Sequence, residues 1–347
     1  MSTLKVDTIT DSSSGLTTTI NGFTPQTSNM VGRNLIINGS FQVWQRGTDT
    51  GSIQSNQYYG AADRFRTHGS GGTYQATRQE IASGSESDIG GLRYFHRYAA
   101  SVGDNYAGVF YSVEDVRSIP SGETVTLSFY AKGTNPGGGN MDLAVAQNFG
   151  SGGSAEANVF NQPFTLTSSW QRFTKTFTMP SLSGKTIVDA DSNIQIYFQQ
   201  PVGDTSTNAW TFDLTGVQLE FGSAATPFEH RSYAQELLLC QRYYEKFGQG
   251  WWARFESGSG LVVNGQFKVE KRTAPTIGLP TGGTIRLYEW GVGDRDATPT
   301  LTSTSMNANG GHFKLSGFSG GSTGEIWGVG GTNTDFSTHP FEAKAEL

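Results

Sequence analysis

The sequence predicts an all-β protein: a β-sandwich, one connecting helix and a smaller C-terminal β-domain, preceded by an extended segment. Three observations carry this expectation. Of 347 residues, 35% are hydrophobic and 16% charged while 46 are glycine and 22 phenylalanine, which suits many turns, modest cores and strands faced with Ser, Thr and aromatics. Apolar residues alternate with polar ones in short runs, the period of a half-buried strand. A single stretch places apolar residues at the helical spacings of three and four.

The balance of charge and cysteine narrows the partners. With 24 Lys and Arg against 30 Asp and Glu the formal charge is −6, and no basic cluster is present to neutralise phosphates, which excludes nucleic acid. Cys240 is the single cysteine, so there is no intrachain disulfide and no cysteine-rich metal site. The start, MSTLKVDTIT, lacks the apolar run of a signal peptide, and no stretch approaches the ~20 apolar residues of a membrane span. The expectation is folding in a reducing cytoplasm without membrane insertion.

Residues 1–32 are rich in Ser, Thr, Asn and Gly, with Leu4, Val6, Ile9, Leu16, Ile20 and Phe23 as isolated apolar points. Such a segment buries too little surface to order itself, so it is expected to lie on a partner or on other copies of the chain. Residues 33–231 read as the sandwich. The stretch "RNLIINGSFQVWQRGT" is expected to form its first strands, with Asn38-Gly39 supplying a turn or bulge of positive φ, Phe41 and Val43 on one face and Trp44 on the other. Val125, Leu127, Phe129 and Ala131 mark an inward face, as do Met141, Leu143 and Val145, then Phe173, Phe177 and Met179, and then Ile194, Ile196 and Phe198. Trp210, Phe212 and Leu214 continue as Val217, Leu219 and Phe221, one residue out of phase, which a β-bulge at Thr215-Gly216 reconciles.

The helix is predicted over 232–248. Ser232 and Gln235 form a capping box, Tyr233, Leu237, Cys240, Tyr244 and Phe247 make the apolar stripe, and Gly248 sits at the C-terminal cap. A helix this short is marginal alone, so the stripe is expected to dock, and it is the candidate seam of an oligomer. Residues 249–347 return to strands, ending with Phe341, Ala343, Ala345 and Leu347 on one face, and Asn264-Gly265 has the residues of a type I′ hairpin.

Motifs for catalysis are sparse. Gly317-Phe318-Ser319-Gly320-Gly321 matches a nucleophile elbow but lies in a Gly/Ser-rich run, and Gly184-Lys185-Thr186 lacks the earlier glycine of a phosphate loop, Met179 standing there. Asp189 to Asn193 begins like a calcium loop, but Ile194 and Gln200 occupy the positions that need Gly and a bidentate carboxylate. The five histidines have no paired spacing for zinc. Carboxylate pairs for glycoside hydrolysis are set in space and are not legible from spacing. Aromatic surface remains. Sugars stack their C–H faces on aromatic rings while nearby polar groups take the hydroxyls, so Tyr58, Tyr59, Trp170, Trp251, Trp252, Tyr288 and Trp290, with Arg254, are the glycan-binding candidates.

Taken together, "RNLIINGSFQVWQRGT", "YYGAADRF" (58–65), "VTLSFYAKG" (125–133) and "WTFDLTGVQLEFGSAATPFEHRSYAQELLLCQRYYEKF" (210–247) resemble bacteriophage tail fibre or receptor-binding proteins. Their shared module is a jelly roll similar to carbohydrate-binding modules. "KRTAPTIGL" and the final "FEAKAEL" also resemble the ends of such proteins. The resemblance implies a virion protein assembled in the bacterial cytoplasm, a homotrimer, attached to tail or other virion proteins through residues 1–32, with residues 249–347 as a distal tip. Modules of this shape often carry a structural calcium beside the opening strand, but the chain departs from their ligand pattern, so the expectation is no metal and no cofactor. Gln42 replaces one expected acidic ligand, and Asp213 is the candidate for the other.

The reading that follows is a non-enzymatic tail fibre that recognises host surface polysaccharide multivalently. Two others stay open: a virion depolymerase, and a head decoration or tail adaptor whose jelly roll is purely structural. Light scattering on the purified chain is expected to give three times the 37.4 kDa protomer mass; a chain that stays monomeric at high concentration removes the trimeric fibre.

Overall fold

The structure, a computed structural model, describes residues 32–54, 59–69, 72–85, 89–101, 107–201, 208–247, 251–279, 285–289, 293–330 and 341–347. Residues 1–31 of the expected attachment segment lie outside the described residues. The chain divides into two compact units, Met1–Ser232 and Tyr233–Leu347. Among the described residues it is built of antiparallel strands with one α-helix and short 3-10 turns, the all-β class that the alternation predicts. That helix is not long and apolar enough to cross a membrane.

The first unit has ten strands: β1 (Phe65–His68), β2 (Tyr74–Glu80), β3 (Tyr94–Ala100), β4 (Gly108–Glu114), β5 (Thr124–Gly133), β6 (Met141–Asn148), β7 (Ala157–Phe164), β8 (Gln171–Thr178), β9 (Asn193–Gln199) and β10 (Trp210–Phe221). They form two five-stranded sheets, ordered β1-β4-β9-β6-β7 and β2-β3-β10-β5-β8, and the chain crosses between the sheets as a jelly roll does. The inward sets read from the sequence fill the space between them. Val125, Leu127, Phe129, Ala131, Met141, Leu143, Val145, Ile194, Ile196, Phe198, Trp210, Phe212 and Leu214 are all buried in one core. Each such large side chain contributes roughly 1.5–3 kcal/mol through burial. The phase change in β10 is a bulge: its register with β5 shifts between Thr215 and Gln218, and Gly216 sits at φ 60°. That backbone conformation favours glycine, and a Cβ there would also press on the Leu92 methyl at 2.7 Å and the Tyr130 ring at 3.0 Å.

The opening stretch departs from the expectation. Residues 34–46 are irregular rather than strands, and it is Phe41 and Trp44, not Phe41 and Val43, that pack together in the sandwich core. The cause is the Asn38 side chain, which takes the place of a ladder. With φ at 63° it donates to the carbonyls of Val43 (2.8 Å) and Asp63 (3.0 Å) and accepts from the Val43 N–H (2.9 Å). The segment then lies against the second half of β10, through Leu35 N–H to Leu219 O and Val217 N–H to Gly39 O, each 2.9 Å. Gly39 makes the approach possible, since a Cβ would sit 2.1 Å from the Val217 carbonyl oxygen.

A polar clasp fixes this closure. The Glu229 carboxylate accepts from the N–H groups of Gly32 (2.8 Å) and Asn34 (2.7 Å). Arg231 donates to the carbonyls of Ile36 (3.1 Å) and Asn34. Asn34 Oδ1 accepts from Ile36 N–H (2.9 Å) and Leu219 N–H (3.1 Å), and its amide donates to Val217 O (3.1 Å). Glu220, buried, accepts from the Thr226 N–H (2.9 Å) and hydroxyl (2.6 Å) and from Gln218 (2.8 Å). The motifs that carried the resemblance therefore tie the start of the sandwich to its end.

The second unit starts with α1 (Tyr233–Gln241) and continues as β11 (Tyr244–Phe247), β12 (Trp252–Phe255), β13 (Gly260–Gln266), β14 (Thr276–Gly278), β15 (Ile285–Glu289), β16 (Gly293–Ala297), β17 (Thr300–Asn307), β18 (Gly310–Ser316), β19 (Ile326–Gly330) and β20 (Phe341–Lys344). The sheets run β11-β20-β14 and β16-β15-β19-β12-β13-β18-β17. Two expectations are corrected here. The helix does not span 232–248: it ends at Gln241, and Tyr244 and Phe247 belong to a strand that pairs with Phe341–Lys344 and buries both rings. Of the expected seam Cys240 is buried, Leu237 half-buried and Tyr233 exposed, while Gly248 lies outside the described residues.

Asn264-Gly265 is also not a hairpin turn. It lies inside β13, opposite His312 and Gly311 of β18, and the hairpin falls at 256–259 instead. Glycine is needed at 265 because the Trp251 indole covers it, within 2.0 Å of where a Cβ would be. "KRTAP" anchors this unit. Lys271, buried, donates to Glu245 (2.5 Å), Gln241 O (2.6 Å) and Val269 O (3.0 Å), and Arg272 donates to the carbonyls of Ala345 (3.0 Å) and Glu346 (3.2 Å). Burial pushes the Lys271 ammonium down while Glu245 holds it up, so the pair is stable only with both partners present.

One buried group makes the first unit sensitive to acid. His96 on β3 is fully buried, stacked on Trp44 (5.6 Å, 19°), with neither ring nitrogen hydrogen-bonded, and burial pushes its pKa from 6.5 down to about 3. The unfolded chain takes up this proton below 6.5 and the folded chain only near 3, so this contribution to stability is complete above 6.5 and falls as the pH drops toward 3. From pH 7 to 4.5 the loss is about 3 kcal/mol. His96→Leu is expected to remove that part of the slope in urea unfolding across this range; an unchanged slope refutes the assignment.

Candidate functional site

Alternation that sends Ile194, Ile196 and Phe198 inward from β9 turns Gln195, Tyr197 and Gln199 outward. Ladder pairing then assembles a surface across the sheet. Tyr197 stands opposite Phe110 on β4 and Ala144 on β6, and Phe110 stands opposite Arg66 on β1. In the adjacent row Gln195 faces Ala146, which faces Asn158 on β7. These residues line a groove of about 540 Å³, together with His68, Asn148, Glu156 and Gln199. Ala144 and Ala146 carry little bulk, which leaves the groove its depth.

Aromatic rings and dipoles share this floor. Phe110 meets Tyr197 edge to face at 4.7 Å and His68 at 4.9 Å, and the Arg66 guanidinium lies 5.9 Å from the Phe110 ring. The Tyr197 hydroxyl donates to Glu156; burial, with the Glu156 carboxylate adding to it, pushes its pKa well up, against the opposing charge of Arg66. Tyr197 is therefore a neutral donor throughout the ordinary pH range. Amides at Gln195 and Asn158 offer both donors and an acceptor, the set that alternating hydroxyls of a sugar chain require, while Asn148 Oδ1 accepts from the Gly150 N–H at 2.9 Å and Gln199 is buried. Glu156 is the carboxylate among the described lining residues, and Asp142, half-buried on the same face of β6, stands opposite Gln199, with burial pushing its pKa up.

The aromatic candidates from the sequence do not converge. Tyr58 and Trp290 lie outside the described residues, as does the side chain of Tyr288. Tyr59 adjoins the groove, half-buried, with the guanidinia of Arg46 and Arg66 each 5.8 Å from its ring. Trp170 packs on Phe95 at 5.2 Å with the Lys132 ammonium 5.0 Å above it, on the other sheet. Trp251 is buried in the core of the second unit, and Trp252 and Arg254 are exposed on β12. Sequence reasoning missed Phe110, Tyr197 and their polar neighbours. The signal was the outward set of "NIQIYFQ", whose inward set had already defined the strand.

Asp213 does not fit a calcium ion. Both its oxygens are bound at 2.7 Å by Arg97, opposite it on β3, and Gln42 is turned to Ser40 at 2.8 Å. Among the described residues no group of three His, Cys, Asp or Glu side chains is placed to hold a metal.

A family model described as a carbohydrate binding domain matches residues 33–207. No curated protein matches the chain. Among solved structures, the N-terminal cellulose-binding domain of Cellulomonas fimi beta-1,4-glucanase C is 26% identical, with 38% of this chain and 80% of that one covered and a TM-score of 0.29. A structure described as that of a CBM4 is also 26% identical, covering 37% and 84% at a TM-score of 0.29. The enzymatically active domain of tailspike protein 4 from bacteriophage CBA120 is 14% identical, covering 55% and 21% at a TM-score of 0.31.

The commitment of Asp213 to Arg97 sets an expectation for metal removal. EDTA should leave the melting temperature unchanged, while Asp213→Ala, which strands the guanidinium, should cost about 1–2 kcal/mol. A melting point that falls with EDTA and recovers with Ca²⁺ overturns this.

Proposed function

The chain belongs to the carbohydrate binding domain family, and from that premise we propose that the groove on sheet β1-β4-β9-β6-β7 holds a segment of polysaccharide and releases it uncleaved. The observation that carries the reading is the row Arg66, Phe110, Tyr197, Ala144, in which the buried Arg66 and Phe110 support the half-buried Tyr197 ring in a groove lined by side-chain amides. Stacking on the half-buried Tyr197, which the buried Phe110 supports, supplies apolar contact, and Gln195 and Asn158 take the hydroxyls.

In the same proposal the protein is a bacteriophage tail fibre, a homotrimer attached to the virion through residues 1–32, whose grooves bind host surface polysaccharide. What supports it is the combination of "NGSFQVWQRG", "ADRF" and "VQLEFGSAATPFEHR" in one chain. Each groove is then a weak site, and several copies on one particle raise avidity by about 10² to 10⁴ without new contacts.

Affinity electrophoresis in gels containing soluble β-glucan, xylan or bacterial O-polysaccharide tests the groove. At least one of these should retard the protein, Tyr197→Ala and Gln195→Ala should each weaken that retention about tenfold at unchanged melting temperature, and no reducing ends should appear. No retardation on any of the three, equal retention in both variants, or shortened polysaccharide overturns the proposal.

A further inference from the structure

The seven-stranded sheet of the second unit buries one face and exposes the other. Trp251, Ala253 and Phe255 go inward with Leu261, Val263, Phe313, Leu315 and Trp327, and strict alternation turns Trp252 and Arg254 outward. Trp252 is 64% exposed. Ile326, 57% exposed, stands opposite Arg254 in the next row, so Trp252 and Ile326 leave an apolar pair on a regular sheet, and the indole offers a ligand a flat amphipathic surface.

The residues around it have a definite chemistry. Gly328, buried, stands opposite Trp252 on β19, and the row continues to Tyr288 on β15. On the other side Asn264 stands opposite it on β13, and His312 stands opposite Asn264 on β18. From Gly328 to His312 the row spans three strand spacings, about 14 Å. In the next row Arg254 is followed by Val262 and Lys314. Lys314 binds Glu256 at 2.7 Å, and the Arg254 and His312 charges also act on that carboxylate, holding it low. Among the described residues of these rows on β12, β13 and β18, and the loop carboxylate Glu256 beside them, two permanent cations stand against one carboxylate, on a chain whose formal charge is −6. The local charge is opposite in sign to that of the whole molecule.

We propose that this face is a second binding surface, separate from the groove, for an acidic polysaccharide: Trp252 stacks on a sugar ring, Arg254 pairs with a uronate carboxylate, and Asn264 and His312 take hydroxyls. The cation excess selects an anionic chain over a neutral glucan. The same excess makes binding sensitive to salt, because exposed charges are screened over about 8–10 Å at physiological ionic strength. This assignment does not rest on the groove reading.

Polygalacturonate is the probe, with the full chain in affinity electrophoresis and in sedimentation. The wild type should be retained at low salt and lose that retention about tenfold by 0.5 M NaCl. Trp252→Ala and Arg254→Gln should each weaken retention at least tenfold, both at exposed positions where the fold is not at stake. Tyr197→Ala should leave it unchanged, which separates a failure here from a failure of the groove. No retention of the wild type, unchanged retention in Trp252→Ala, or a change in oligomer mass in Trp252→Ala, which makes the face a contact between copies, overturns the proposal.

Discussion

The first unit is held closed by the clasp that joins residues 32–36 to 217–231. Its necessity follows from the bulge in β10. Up to Leu214 that strand is paired on both sides, by β3 and β5, but the extra residue at 215–217 ends the pairing with β3 while β5 continues to Phe221. Half of a central strand is thereby left with a bare edge, and bare edges are sites of misassociation. The Asn34–Gly39 segment covers it, and Asn34, Glu229 and Arg231 fix that segment in place. Buried polar networks of this kind are useful only when complete, and Glu220, Thr226 and Gln218 complete this one.

The groove inherits its geometry from the same core. One strand, β9, sends Ile194, Ile196 and Phe198 into the sandwich and Gln195, Tyr197 and Gln199 to the ligand face, so the floor cannot move without disturbing the packing beneath it. Binding residues placed on strands rather than loops are held to the precision of the ladder, which lowers the ordering that a bound sugar chain must impose.

How much of this was legible depended on which property of the sequence a feature used. Inward faces were readable because burial leaves a period of two, and the bulge was readable because it breaks that period. The groove was not. Outward positions of a sheet look alike whether they meet water or a ligand, and Phe110 and Tyr197 become neighbours only through the register of β4 with β9. Choosing aromatics by identity selected Trp170 and Trp251, which pack against Phe95 and into the second core. The helix was overextended because Tyr244 and Phe247 continue its apolar spacing, and nothing local reveals that Phe341–Lys344, about a hundred residues on, claims them as a strand. Asn264-Gly265 misled in the same way: the pair favours a turn, but the glycine is there to make room for Trp251.

The clasp also decides how the first unit responds to force. Arg231 reaches the Asn34 carbonyl across 197 residues, so the chain enters and leaves the sandwich at one edge. Tension along the backbone meets those few hydrogen bonds before it reaches any ladder between the large strands. The sandwich is in this respect a bead with its own fastening: a pull opens the fastening and lengthens the tether while the groove on the other sheet keeps its shape.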